Sequence, residues 1–77
     1  MSATDIIKAL RQKRRLKQED VANMLGMSRQ TYNSLENNLL NNDFTLVFKL
    51  LNVLDPNPTD VIEFFNALQQ DYMSYKE

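Results

Sequence analysis

The chain of 77 residues contains no cysteine and no histidine, and its formal net charge is −1. Without these two residue types it has no disulfide, no thiolate or imidazole metal ligand and no cysteine or serine–histidine nucleophile, so we expect neither a metal nor another cofactor. The length predicts one domain over residues 1–77, and the absence of a long apolar run or a signal peptide predicts a cytoplasmic protein with no membrane contact.

Apolar residues at helical spacing predict two short helices at the start of the chain. The first covers about residues 5–14, with Ser2 or Thr4 as its N-cap, and carries its apolar residues on one face. The second covers about residues 18–25, where acidic residues in the first turn favour the helix dipole.

The segment after the second helix contains Gly26, which is the only glycine of the chain. Glycine adopts positive φ at no steric cost, and a tight turn directly after a helix requires such a φ. Ser28 follows as a good N-cap for a third helix over about residues 29–36. We expect Asn37 and Asn38 to end this helix, because asparagine tolerates the left-handed conformation better than most residues.

Two further helices are predicted in the second half of the chain. The fourth begins near residue 43, with Asn42 or Asp43 as its cap, and ends before Pro56, because the residue preceding a proline disfavours the α region. The fifth covers about residues 58–75, with Asn57 as its cap. We therefore predict an all-α fold of five helices.

The fifth helix carries more apolar surface than one buried stripe requires. Five of its residues follow each other at the spacings of a heptad seam: Val61, Phe65, Leu68, Tyr72 and Tyr75. Ile62, Phe64 and Met73 widen the apolar surface beyond this seam. The helix either completes the core alone or divides its surface between the core and a partner. We favour the second interpretation, with another copy of the chain as partner, because two-fold dimers are the commonest oligomers.

Charge is distributed unevenly along the chain. Residues 1–36 contain seven Lys and Arg against four Asp and Glu, a net charge of +3, whereas residues 37–77 have a net charge of −4. A basic half joined to an acidic half is either ordinary surface variation or a sign that the first half faces a polyanion. The acidic residues have no nucleophile or metal partner beside them in the sequence, so we do not expect an enzyme.

A short helix, a turn and a second short helix form a helix-turn-helix over residues 18–36. Two helices that cross steeply need a small residue at their closest approach, and Ala22 supplies it. Met27 is expected beneath the turn, while Tyr32 and Leu35 attach the second helix to the core. The other face of that helix remains polar, with side chains that can hydrogen-bond base edges or phosphates.

The segment from Leu10 to Asn37 resembles the Cro/C1-type, or Xre-like, helix-turn-helix family. The resemblance covers about residues 6–56 and rests on a glutamine and an acidic pair that open the second helix, an alanine and a glycine four residues apart, the run Ser-Arg-Gln-Thr that opens the third helix, and the glutamate near its end. It implies a lambda-repressor-like, all-α domain that binds double-stranded DNA in a sequence-specific manner. In this interpretation residues 5–56 form the core of the domain, and the C-terminal helix over residues 58–75 serves a dimer or another partner.

The resemblance also implies roles for individual residues. Four polar residues of the third helix fall on base-contacting positions: Arg29, Gln30, Asn33 and Ser34. Gln18 and Ser28 resemble the phosphate contacts of the family, and Arg11 with Glu36 resembles an ion pair that ties the first helix to the third. The basic run at the junction of the first two helices supplies further phosphate candidates, namely Lys13, Arg14, Arg15 and Lys17.

The chain departs from the family pattern at three positions. Arg15 and Lys17 stand where the family often has Gly and Ser or Thr, which weakens the cap of the second helix and adds positive charge. Asn38 stands where the family often has glycine after the third helix.

Three functions remain open at this point. The favoured one is a homodimeric repressor on a palindromic operator, although a small regulator also activates when it binds upstream of a promoter. An antitoxin-type protein would use the same helices to regulate its own operon and would also bind a toxin protein. A module that binds only proteins is the third, and the polar, partly basic face around Arg29 and Gln30 argues against it.

Overall fold

The computed structural model describes residues 1–76, and of these the side chains of residues 1–75. The described part contains five α-helices and no strand: α1 at Ala3–Lys13, α2 at Gln18–Met24, α3 at Arg29–Asn37, α4 at Phe44–Val53 and α5 at Pro58–Lys76. The predicted all-α class with five helices is thereby confirmed, and each boundary lies within two residues of its prediction. No helix in the described range is both long enough and apolar enough to cross a membrane.

Side-chain caps set the starts of three helices. Ser2 Oγ accepts the backbone N–H of Asp5 at 3.1 Å, and the Asp5 carboxylate accepts the N–H of Ser2 at 3.2 Å, so that α1 begins at Ala3. The hydrogen bond from the Ser2 N–H to the carboxylate lowers the pKa of the Asp5 carboxyl. Ser28 caps α3, and Asn57 caps α5 through its bond to the N–H of Asp60 at 2.8 Å. Of the two predicted N-caps of the first helix, Ser2 is therefore the correct one and Thr4 is not.

Three helices are followed by a residue with positive φ, but only one of these residues is glycine. The φ angles are 57° at Arg15 after α1, 70° at Gly26 after α2 and 50° at Asp55 after α4. The predicted turn at Gly26 is present. Arg15 and Asp55 adopt the same left-handed conformation, which is unfavourable for residues with a Cβ atom.

Backbone bonds at the first two turns satisfy the last carbonyls of the helices. Leu16 N–H bonds the Arg11 carbonyl at 2.9 Å, and Met27 N–H bonds the Ala22 carbonyl at 3.0 Å. Both bonds belong to the Schellman motif, which forms only when the residue between helix and loop is left-handed. The positive φ of Arg15 is therefore part of the connection between α1 and α2.

The end of α3 differs from the prediction. Asn38 has φ −139°, so the expected left-handed asparagine is wrong. Instead, Asn37 and Asn38 donate their side-chain amides back to the carbonyls of Asn33 and Ser34, at 2.8 and 3.0 Å, which satisfies the last turn without positive φ. A single 3-10 turn over residues 39–41 follows, which was not predicted, and it buries Leu39.

The five helices surround one cluster of buried apolar side chains. Members that are at most 2% exposed come from all five helices: Ala3, Ile7, Val21, Ala22, Tyr32, Leu35, Leu50, Leu51 and Phe64, with Leu54 directly after α4. The apolar stripes predicted for α1 and α2 lie in this cluster, and Met27 packs against it from beneath the turn.

The buried stripe of α5 lies beside the predicted heptad seam. Phe64 is fully buried and Ala67 is 7% exposed, whereas Tyr72 and Tyr75 are exposed. Phe64, which was predicted to widen the apolar surface of α5 beyond the seam, is the residue that α5 buries most fully in the core. Residues 61, 65 and 68 of the seam pack against the edge of the core, so the seam itself is half-buried at its start and exposed at its end.

Aromatic side chains of α4 and α5 form a partly exposed stack. Phe44 and Phe48 are 60% and 47% exposed, and their ring centroids are 6.2 Å apart. Phe44 also stacks on Phe65 at 6.1 Å, and Phe65 meets the buried Phe64 edge-on at 5.5 Å. This stack of Phe44, Phe48 and Phe65, called the aromatic stack below, connects the core to an exposed apolar surface.

Candidate nucleic-acid interface

The inner face of α3 packs against α2 and the core, and its outer face is left exposed. Ala22 and Tyr32 are buried between the two helices and the core, at 1% and 0% exposure. Ser28 Oγ accepts the N–H of Thr31 at 3.1 Å, which caps the first turn of α3. A Cβ atom at Gly26 would meet no other atom within 4 Å, so space does not require glycine at this turn. The requirement comes from the backbone, whose φ is 70°. The positions of these residues agree with their predicted structural roles.

Glu36 is the buried charged residue that holds α3 in place. Its side chain is 0% exposed, and three donors meet its two carboxylate oxygens: Arg11 Nε at 2.9 Å, the Tyr32 hydroxyl at 2.9 Å and Gln18 Nε2 at 2.8 Å. A buried carboxylate is tolerated when its oxygens are satisfied in this way. Burial raises the pKa of the Tyr32 hydroxyl, and the neighbouring Glu36 carboxylate raises it further, so this hydroxyl stays a donor.

The first helix is tied to α3 at both of its ends. Near its start, Thr4 Oγ1 donates to the backbone carbonyl of Glu36 at 2.7 Å. Near its end, Arg11 bonds the Glu36 carboxylate and donates from Nη1 to the Leu16 carbonyl at 3.2 Å. The pair of Arg11 and Glu36 expected from the sequence is therefore the centre of a larger set of hydrogen bonds, which fixes the tilt of α3.

The outer face of α3 is exposed along its length. All four predicted base-contacting residues, Arg29, Gln30, Asn33 and Ser34, are exposed. Within the described residues, the side chains of Arg29 and Gln30 make no hydrogen bond, whereas Asn33 Oδ1 accepts from Gln18 Nε2 at 3.0 Å. This face therefore has unused donors and acceptors. The helix that carries them is held in place by the hydrogen bonds of Glu36 on its inner side.

Exposed positive charge is found on α3 and around the α1–α2 connection. Lys13, Arg15, Lys17 and Arg29 are exposed, and none of them forms an ion pair with another residue of the described range. Lys17 is the N-cap residue of α2 but gives it no side-chain cap bond, and its own N–H bonds the Asp20 carboxylate at 2.8 Å. The weaker cap expected at this position is observed.

Arg14 has a different environment from the other residues of the basic run. Its guanidinium donates to the Leu54 carbonyl at 3.2 Å and to the Asp55 carbonyl, and it pairs with the Asp55 carboxylate at 3.1 Å. It therefore binds the carbonyls at the end of α4, where Pro56 has no N–H to offer. The sequence analysis did not predict these bonds, and a phosphate contact by Arg14 stays a prediction.

The link between Gln18 and Asn33 was not predicted. These residues are 15 positions apart on different helices, and no local pattern in the sequence connects them. The bond from Asn37 back to the Asn33 carbonyl, in contrast, follows from their spacing of four on one helix, which places the two side chains on one face.

Comparison with known proteins gives one match. A family model described as helix-turn-helix matches residues 7–62, which include the whole of α2, α3 and α4. No curated protein and no solved structure matches the chain significantly.

Proposed function

The chain belongs to the Cro/C1-type helix-turn-helix family of DNA-binding transcription regulators, and we propose that it is a homodimeric repressor that binds a palindromic operator. The observation that carries the proposal is the exposed polar face of α3, a helix whose inner face is held by buried residues and by the hydrogen bonds of Glu36. In this motif the N-terminal residues of the second helix enter the major groove and contact base edges. We assign this role to four exposed residues of α3, namely Arg29 and Gln30 in its first turn and Asn33 and Ser34 in its middle.

Phosphate contacts come from the exposed cations around α3. Lys13 ends α1, Arg15 and Lys17 lie in the α1–α2 connection, and Ser28 lies at the start of α3. Contacts of this kind fix the register of the protein on the duplex and contribute no base preference. Arg29 adjoins Gln30 and emerges about 100° around the helix, so it reaches either the flanking phosphate or a guanine.

The exposed part of the heptad seam is the proposed dimer surface. Tyr72 and Tyr75 are 50% and 70% exposed, and the aromatic stack continues this apolar surface from Phe65 onto α4. A two-fold dimer through the surface formed by Val61, Phe65, Leu68, Tyr72 and Tyr75 would bury these groups and present two copies of α3 to successive major grooves, about 10 base pairs apart.

Salt dependence of DNA binding tests the proposed phosphate contacts. A dimer that neutralises about 4–8 phosphates gives a slope of roughly −4 to −7 when the logarithm of the association constant is plotted against that of salt concentration. We expect Lys17→Ala to weaken binding to every sequence and to flatten this slope. Lys49→Ala is the matched control, because Lys49 is an exposed lysine on α4 outside the basic half. A complex whose affinity does not change with salt contradicts the proposal.

Sedimentation equilibrium tests the dimer. We expect Tyr72→Asp to shift the protein toward monomer, because it places a charge in the proposed contact. Asn66→Asp is the control, since Asn66 is exposed on the other flank of the buried α5 stripe. A wild-type protein that stays monomeric both alone and on DNA contradicts the homodimer.

An antitoxin-type protein is the second candidate function. It is favoured by Phe44 and Phe48, which extend the exposed apolar surface beyond what α5 alone supplies. Copurification with a small toxin encoded beside the gene, lost in Phe48→Asp but retained in Tyr72→Asp, would support this candidate.

A further inference from the structure

The orientation of the Asn33 amide follows from groups that can only accept hydrogen bonds. The Glu36 carboxylate lies 2.8 Å from Gln18 Nε2, so Gln18 must turn its NH2 group inward. The second hydrogen of that NH2 then meets Asn33, which must present its oxygen, at 3.0 Å. The buried Glu36 carboxylate therefore fixes the orientation of the Gln18 amide, which in turn fixes the orientation of the Asn33 amide.

A second, independent bond leads to the same orientation. Asn37 Nδ2 lies 2.8 Å from the backbone carbonyl of Asn33, which is an acceptor, so Asn37 also turns its NH2 group toward Asn33. The same nitrogen lies 3.3 Å from Asn33 Oδ1. Asn33 Oδ1 thus receives two donors, which use both of its lone pairs, and the Asn33 NH2 group is left for the outer face of α3.

We propose that Gln18 is a positioning residue for Asn33, and that Asn33 consequently acts as a donor that recognises guanine. This inference rests on the proposed binding of α3 in the major groove. Guanine presents two acceptors there, N7 and O6, whereas bidentate recognition of adenine by asparagine needs an acceptor for the N6 amino group. Asn33 has no acceptor left to offer, because its oxygen is held by Gln18 and Asn37.

The same bonds change the role expected for Gln18. Both hydrogens of its NH2 group are used, one on Glu36 and one on Asn33. Its side chain therefore has no donor for a phosphate, and a free amide oxygen would repel one. Gln18 acts on DNA through Asn33 and not as the phosphate contact that the family resemblance implies.

Binding-site selection on variants of the whole chain tests this inference. Asn33→Ala first identifies the base pair that Asn33 contacts, as the position whose preference disappears. We expect guanine at this position for the wild type. In Gln18→Met, which keeps the length of the side chain but has no donor, the preference for guanine over adenine should fall about tenfold, because the Asn33 amide is free to turn.

Two further variants separate positioning from a structural effect. Gln18→Lys retains donors toward Glu36 and Asn33, and it should therefore retain the preference for guanine even though it raises affinity for all sequences. Asn33→Asp replaces the outward NH2 with an acceptor, and it should change the preferred base from guanine to cytosine, whose N4 amino group is a donor. Neither result depends on Gln18→Met being stably folded.

Several outcomes would overturn the inference. Adenine at the Asn33 position of the wild type, or an unchanged motif in Asn33→Ala, excludes the donor role while the proposed function stands on the rest of the motif. A Gln18→Met protein that binds all sequences more weakly but keeps the same motif shows that Gln18 contacts the DNA backbone. A wild type that selects no motif overturns the proposed function, and this inference with it.

Discussion

Different interactions stabilise two regions of the molecule, one formed by α1, α2 and α3 and the other by α4 and α5. Between α1, α2 and α3, a buried carboxylate receives three donors, and every one of these bonds has a defined direction. On α4 and α5, the buried side chains are mainly leucines and Phe64, and the aromatic stack joins the two helices and reaches the surface. Burial of apolar surface is non-directional, whereas hydrogen bonds to a buried charge fix one geometry.

This difference matches what each region is proposed to do. A helix that contacts bases has to be placed within a fraction of an ångström, and the Glu36 network supplies that precision. A surface that associates with another copy of the chain needs mainly area and shape, which aromatic groups provide. The following four predictions test this division, beginning with the largest effect.

Phe64→Ala should have the largest effect on stability, about 4 kcal/mol, because it opens a cavity in the core where α5 meets the other helices. Thermal or urea unfolding followed by circular dichroism measures this loss. Phe48→Ala is the matched control at the exposed end of the aromatic stack, and it should cost less than about 1 kcal/mol. Equal losses in the two variants would show that the stack is as integral to the fold as Phe64.

Arg11→Ala should cost about 3 kcal/mol, because it leaves the buried Glu36 carboxylate without its cation. We expect the low end of the range for broken buried pairs, since Tyr32 and Gln18 still donate to Glu36 and the Arg11 side chain is 13% exposed. Arg14→Ala is the control, because it removes an ion pair that lies outside the Glu36 network. Its partner Asp55 is 86% exposed, so the loss should not exceed about 1 kcal/mol. Arg11→Ala with wild-type unfolding would contradict the importance given to the network.

Gln30→Ala should reduce specific DNA binding by about 2 kcal/mol for each bidentate contact that it removes, with no loss of stability. The reason is that Gln30 is exposed and makes no side-chain hydrogen bond within the described residues. Affinity for random duplex should change little, because phosphate contacts supply it. An identical selected motif in wild type and Gln30→Ala would mean that Gln30 does not contact a base.

Arg15→Gly should stabilise the fold by about 1 kcal/mol, because its φ of 57° is strained for a residue with a side chain. Arg15→Ala, which removes the charge and keeps the strain, separates this gain from any electrostatic effect. Asp55→Gly relieves a similar φ of 50° but also removes the pair with Arg14, so its gain should be smaller. The same Arg15→Gly protein should bind DNA more weakly if Arg15 contacts a phosphate.

Local signals were sufficient to predict most of the fold. Gly26 followed by Ser28 marks a turn and a cap, and the residue before Pro56 marks the end of a helix, because each depends on the chemistry of one or two neighbouring residues. The family resemblance added the pair of Arg11 and Glu36, which composition and periodicity alone do not provide.

The features that the sequence analysis did not predict are those that distant residues decide. Periodicity on α5 is ambiguous, because apolar residues occupy more than one face, and the packing of the other elements determines that Phe64 is buried. Arg14 was grouped with its basic neighbours, although the carbonyls after α4 bind it. The bonds of Gln18 to Asn33 and Glu36 join residues on separate helices, and no spacing rule predicts such a set.

The contact between the two ends of the chain has a consequence for hydrogen exchange. The first N–H groups of a helix have no partner within the helix and normally exchange rapidly with water. Here the N–H of Ala3 donates to the Asp71 carboxylate of α5 at 2.9 Å, across 68 positions of sequence. Exchange at Ala3 therefore requires this hydrogen bond to open, and a single amide near the start of the chain reports how often its contact with the last helix breaks.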